Sequence, residues 1–193
     1  MVEVTGKIGA MKGTDLVFVD IETTGLDPRI QEIIEISVIR VKQLWQSGEK
    51  PQFQEVAEWS AKIRPQNMAV ADPAALKVNG YIPSDWKHAI PLKDALEQFV
   101  EKTEGAIMVS HNVAFDAGFL DENLARLGLP NKMHYHRLDT VSMAFAVLHS
   151  TPDVSRYSLV ELCKYFNIPI EHAHSALPDA RADFELFKKL ILP

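Results

Sequence analysis

The run Asp15-Leu16-Val17-Phe18-Val19-Asp20-Ile21-Glu22 constrains this chain more than any other segment, because its apolar, β-branched middle demands burial while its end carries two acids. Followed by Thr23-Thr24-Gly25 and Pro28, it reads as a buried strand that delivers its last residues to a polar turn. Asp20 and Glu22 lie two apart, so in extended geometry both side chains leave the same face at the mouth of the sheet. Two hard oxygen donors side by side suit Mg²⁺ or Mn²⁺. Taken alone, a solvated strand end has the same spelling.

The remaining pattern is strand-rich first and helix-rich afterwards. Residues 33 to 41, IIEISVIRV, alternate after the first Ile; residues 54 to 63 form a weaker extended segment, and residues 46 to 51 read as an exposed hairpin turn. With the first strand they predict an antiparallel meander of three strands. Residues 65 to 91 hold four of the eleven prolines, which predicts punctuated loop with at most a short helix around 74 to 78. Helices are expected at 92–101, at 113–127 up to Gly128, and at 139–149, 158–166 and 176–190, with a strand at 106–109. Strands followed by strand–helix units predict one α/β domain with a mixed sheet. The 193 residues suffice for one core, so residues 1–14 read as a tail and 15–193 as a single domain.

Charge narrows the function classes. Acidic residues outnumber basic ones 26 to 20, so the broad basic surface of a tight, non-specific duplex binder is absent. A polyanion held through metal ions and a few terminal contacts needs carboxylates instead. The single cysteine, Cys163, excludes an internal disulfide and a Cys-x-x-Cys zinc pair, and points to a reducing compartment. No signal-peptide core is seen, and the longest apolar run, Met143 to Leu148, is too short for a bilayer; the reading is a cytoplasmic protein without membrane contact.

Two further apolar-to-polar boundaries carry acids. In Ser110-His111-Asn112-Val113-Ala114-Phe115-Asp116 the last residue falls in the first turn of a helix, where the dipole favours its charged form. In His174-Ser175-Ala176-Leu177-Pro178-Asp179, Ser175 is an N-cap candidate, Asp179 lies about one turn in, and His174 stands just outside. Singly these are a capping acid and a surface histidine. His172 is a poorer base candidate, and Asp183 is the rival for the last acid position. Together, four acids and one histidine at three boundaries match two-metal phosphodiester chemistry, in which an imidazole takes the proton of the attacking water.

The segments VDIETTGL, HNVAFDAGFL and HSALPDA resemble the three exonuclease motifs of the DEDDh (DnaQ-like) 3′→5′ exonucleases, over residues 15 to 190. The resemblance implies a ribonuclease H-like fold, a five-stranded mixed sheet with helices on both faces. It implies that Asp20, Glu22, Asp116 and Asp179 hold two divalent cations, Mg²⁺ or Mn²⁺, with Asp20 shared, and that His174 is the general base. It further implies that Thr23, Thr24 and Gly25 hold the 3′-terminal nucleotide, that Leu26 presses on its base, and that His111 and Asn112 occupy substrate-side positions. The segment at 74–81 resembles the one flanking the family's substrate cleft. The implied activity is release of nucleoside 5′-monophosphates from single-stranded or frayed 3′ ends, with DNA favoured over RNA and a polymerase or repair partner possible.

An RNA-processing exoribonuclease of the same family and a non-catalytic adaptor for a strand end or a protein are the alternatives. Fourteen residues follow Asp179, fewer than the tail by which the family's polymerase-bound subunit docks, which argues against a permanent proofreading subunit. The acidic surface predicts low processivity. Trp45, Trp59 and Trp86 are expected to pack, Cys163 to lie in the core, and Glu32 and Glu35 to be solvated, although their nearness to the first strand keeps them as candidates for supporting the ligand acids.

Overall fold

The protein is described by a computed structural model covering residues 11–170 and 175–192. Strands Leu16–Thr23 (β1), Ile33–Leu44 (β2), Gln52–Lys62 (β3), Ile107–Ser110 (β4) and Arg137–Asp139 (β5) form one sheet in the order β3-β2-β1-β4-β5. The first three pair antiparallel, as the meander predicts, while β1, β4 and β5 run parallel, so the sheet is mixed. Six α-helices are described: Pro73–Val78 (α1), Leu92–Thr103 (α2), Val113–Leu127 (α3), Thr140–Leu148 (α4), Leu159–Phe166 (α5) and Ala176–Ile191 (α6).

The two-residue period of β1 sorts its side chains between two cores. Val17, Val19 and Ile21 meet Phe99 of α2 and Phe119 of α3 on one face. Leu16 and Phe18 meet α6 on the other, where the Phe18 ring lies 4.9 Å from Phe184 and 5.4 Å from Phe187. Helices α4 and α5 pack on α6 through Leu148, Leu162 and Leu186. Asp20 and Glu22 share the parity of Leu16 and Phe18, so they leave the sheet toward α6.

Local signals hold where they are strong. Gly128 ends α3 in the left-handed region at φ 68°, and Ser158 caps α5 by accepting the Glu161 N–H. Strand β5 was not expected: its three residues lack a periodic apolar signal, and it exists because β4 offers a free parallel edge. Trp86 is buried and its indole N–H donates to the Ile34 carbonyl at 2.8 Å, whereas Trp45 is 42% exposed beneath the Lys12 ammonium. Cys163 is buried, and burial first, then the charges of Asp183 and Asp179, push its thiol up to about 12.

Most of the expected N-terminal tail lies outside the described residues, as do His172 and His174. Its end is tied down, since the Gln43 amide donates to the carbonyls of Met11 at 2.9 Å and Thr14 at 2.6 Å. Among the described residues, no helix is long and apolar enough to cross a membrane.

Candidate active site

Three carboxylates converge at the C-terminal end of β1. One oxygen from each of Asp20, Glu22 and Asp179 lies within 4.8 Å of the others, so residues more than 150 positions apart in sequence meet at one point. The strand supplies two of them on one face, and α6 supplies the third from its first turn.

Asp116 reaches the same end of β1 from α3, on the opposite face of the sheet. It is not a member of the three-carboxylate group, and both its oxygens are already engaged. One accepts the Ile21 backbone N–H at 3.2 Å, and the other accepts the Ser110 hydroxyl at 2.5 Å. The turn that aims it depends on Asn112, held at φ 69°, and on Asp139. One Asp139 oxygen accepts the backbone N–H groups of Asn112 at 2.9 Å and Val113 at 3.2 Å, while the other accepts the Ser142 N–H at 3.0 Å and the Ser142 hydroxyl. Burial alone would raise the Asp139 carboxyl, but these donors outweigh it and hold it below its usual range.

Packing acids together has an electrostatic cost. Burial, followed by the charges of Asp116, Glu22 and Asp179, raises Asp20 well above the ordinary carboxylate range. Burial and then Asp179 push Glu22 up to about 8. Burial pushes Asp116 up to about 7 despite its two donors. None of Asp20, Glu22 or Asp116 pairs with a lysine or arginine among the described residues. A set of oxygen donors whose own charges repel, with no lysine or arginine paired to Asp20, Glu22 or Asp116 among the described residues, fits hard divalent ions.

Beside Glu22 opens a cleft of about 300 Å³ whose walls include Thr23, Gly25 and Leu26 on one side and Ala74, Val78 and Asn79 on the other. The segment at 74–81 therefore does flank the cleft. Leu26 stands at its mouth, 77% exposed. The Thr23 hydroxyl donates to the Gly25 carbonyl at 2.6 Å, and the Asn79 amide donates to the Thr23 carbonyl at 2.9 Å, which fixes the loop against α1. A Cβ on Gly25 would lie 2.4 Å from Cγ of Gln31, so only glycine fits there.

The structure turns two of the expected substrate-side groups inward. Thr24 is fully buried, its hydroxyl accepting the Glu32 N–H at 2.9 Å, so the side chain organises the loop and does not face the cleft. His111 is likewise committed, with Nδ1 at 3.0 Å from the Thr140 hydroxyl and Nε2 at 2.9 Å from the Tyr157 carbonyl. A carbonyl only accepts, so Nε2 carries the proton. Asn112 is exposed. Asp183, the rival acid, sits behind the cluster, accepting the Thr140 hydroxyl at 2.5 Å, and is pushed up to about 7, first by burial.

Glu35 is not solvated, being 8% exposed, whereas Glu32 is half-buried and accepts backbone N–H groups from Gln66 and Asn67. Sequence reasoning also missed Ser37, Ser110 and Asp139; of these only Asp139, an acid immediately before a helix, carried a recognisable capping signal.

A mixed five-stranded sheet whose central strand presents paired acids to a helix start, beside an open cleft, defines the exonuclease class. The chain belongs to the exonuclease family, whose model matches residues 17–187. It is 31% identical to a PolC-type DNA polymerase III of Caldanaerobacter subterraneus over 188 residues, 97% of this chain and 12% of that protein. It is likewise 31% identical to the PolC-type DNA polymerase III of Streptococcus sanguinis, over 84% of this chain and 10% of that one. The chain thus spans about a tenth of the length of these polymerases. Among solved structures, E. coli exonuclease I in complex with a dT13 oligonucleotide superposes with a TM-score of 0.74 at 18% identity, covering 93% of this chain and 42% of that one. Cell-death related nuclease 4 superposes at 0.71 with 14% identity, covering 92% and 64%.

Proposed function

We propose that this protein is a metal-dependent 3′→5′ exonuclease, formed by a single domain at residues 15–193, that removes nucleoside 5′-monophosphates from single-stranded or frayed ends. The observation that carries this reading is the convergence of Asp20, Glu22 and Asp179 beside an open cleft, with Asp116 behind them. Asp20, Glu22 and Asp179 would hold one divalent ion, and Asp116 together with Asp20 would serve a second. Such ions supply Lewis-acid chemistry, activating a water and stabilising the departing 3′ oxygen.

The chain's own groups supply the rest. Thr23 and Gly25 present backbone atoms along the cleft, Leu26 offers an apolar contact to the terminal base, and exposed Asn112 is free to contact the strand. His174, adjoining the start of α6, takes the proton from the attacking water. Ser110 and the Ile21 N–H keep Asp116 in place without a cation. DNA is favoured as substrate because the polymerase relatives act in DNA synthesis by name and the exonuclease I neighbour was solved with a dT oligonucleotide. The same relatives support action alongside a polymerase.

The test is shortening of 5′-labelled DNA and RNA oligonucleotides of matched sequence with and without Mg²⁺. Asp20→Ala is expected to abolish turnover, and His174→Ala to lower it by about 10²-fold or more, the scale of general-base catalysis. Wild-type rates in both variants would overturn the assignment.

A further inference from the structure

We infer that Glu35 is a positioning residue that holds the first turn of α6 in register with β1 and so places Asp179 against Asp20 and Glu22. The inference rests on the active-site assignment above and extends it to a residue that touches neither metal nor substrate.

Within the antiparallel β1–β2 ladder, Asp20 lies directly opposite Ser37 and Glu22 directly opposite Glu35. Directly opposed residues share a face, so these four side chains all look toward α6. Two rungs of one ladder therefore carry both β1 acids and two partners for the helix.

Those partners grip the start of α6. Glu35 accepts the Ser175 hydroxyl at 3.3 Å, and the Ala176 N–H lies near enough to favour its charged form. Ser37 donates its hydroxyl to the Ala176 carbonyl at 2.7 Å. Ala176, the first residue of α6, is thus held from β2 through its carbonyl, and the Ser175 hydroxyl beside it is tied to Glu35. Ser175 occupies the N-cap position yet makes no capping hydrogen bond of its own, so the carboxylate at this helix start comes from a neighbouring strand. A carboxylate there also complements the positive end of the helix dipole.

A close salt bridge does not account for an acid at this position. Glu35 is buried beside Glu22 and Asp179, a location that raises its carboxyl and that an apolar residue would tolerate better. It stands outside the three-carboxylate group, and its carboxylate is taken up by the Ser175 hydroxyl at the start of α6. Lys62, opposite it on β3, favours its charged form from a distance, but its ammonium lies over the Trp86 ring at 3.9 Å and makes no close ion pair with it. The remaining role is geometric: Asp179 lies three residues beyond Ala176 on one rigid helix, so a shift at the clamp is delivered to the acid.

The experiment compares Glu35→Ala, Glu35→Gln, Ser175→Ala and the Glu35→Ala/Ser175→Ala double variant. Mn²⁺ affinity is read by titration calorimetry without substrate, kcat and KM on a DNA oligonucleotide, and folding by circular dichroism. Loss of a group that orients metal ligands costs about 10–100-fold, so Glu35→Ala is expected to weaken Mn²⁺ binding and lower kcat on that scale, with KM within about twofold. Glu35→Gln keeps an oxygen for Ser175 and recovers most of both. The double variant matches Glu35→Ala alone, because both changes break one contact. Wild-type Mn²⁺ affinity and kcat in folded Glu35→Ala, or Glu35→Gln as impaired as Glu35→Ala, would overturn the inference. Should Glu35→Ala fail to fold, Ser175→Ala decides: a fall in Mn²⁺ affinity with KM kept supports the clamp, and an unchanged protein refutes it. Full activity in Asp20→Ala would instead strike the active-site assignment itself.

Discussion

Neutralising one acid of the cluster should stabilise the metal-free fold while destroying its activity. Glu22 has its carboxyl pushed from 4.5 to about 8, first by burial and then by Asp179 and Glu35. Because the folded value lies above the unfolded one, charge on Glu22 opposes folding: the penalty is absent below about pH 4.5, grows as pH rises to about 8, and is constant above that. At pH 7 the shift corresponds to about 3 kcal/mol, reduced to roughly 2 kcal/mol for a side chain that solvent partly reaches, and at pH 5 it falls below about 1 kcal/mol. Glu22→Gln removes the charge and nearly preserves the shape. For a chain of this size about 2 kcal/mol moves the melting temperature by roughly 4–8 °C. The assay is thermal unfolding in EDTA at pH 5 and pH 7, with the exonuclease rate measured in parallel. A variant no more stable than wild type at pH 7, or one that gains equally at both pH values, would refute the electrostatic account. Millimolar Mn²⁺ at pH 7 should reverse the order by raising the wild-type melting temperature more than that of Glu22→Gln.

Gly25→Ala should lower the melting temperature by an amount corresponding to about 1–3 kcal/mol, and raise KM for an oligonucleotide, since the new methyl meets Gln31 at 2.4 Å; an unchanged melting curve would show that the loop has room. Leu26→Ala should raise KM with no change in melting temperature, because the side chain is exposed and touches no core; loss of stability would contradict that placement. Thr140→Val strips the donor from buried Asp183 and should cost about 1–3 kcal/mol in denaturant unfolding at neutral pH, with wild-type stability as the contrary result. The Cys163 thiol should resist iodoacetamide at pH 8 in the folded protein and react once denatured; labelling of the native state would oppose both its burial and its raised thiol.

Sequence alone goes furthest where one element contains its own instructions. The β1 acids follow from a run of apolar residues ending on Asp20 and Glu22, and the end of α3 follows from a glycine that accepts a left-handed backbone. It falls short where the deciding partner is distant. Glu35 reads as a solvated acid on an alternating strand, because nothing local reveals that the start of α6, some 140 residues on, covers that face. Thr24 and His111 lie inside motif segments yet point inward, since their partners Glu32, Thr140 and Tyr157 belong to other stretches of chain. Strand β5 has only three residues, too few for periodicity to register.

The way Asp139 spends its carboxylate bears on how a strand would enter. One oxygen closes the start of α3 and the other the start of α4, so these helices are fastened together where α3 sends Phe115 into the cleft lining. That wall behaves as an anvil. Across the groove, α1 is a short helix joined to the Thr23–Gly25 loop by the Asn79 amide and by the Asp72 N–H to the Thr24 carbonyl. A chain end threading into the groove therefore meets two fastened walls, each held by hydrogen bonds between separate stretches of chain.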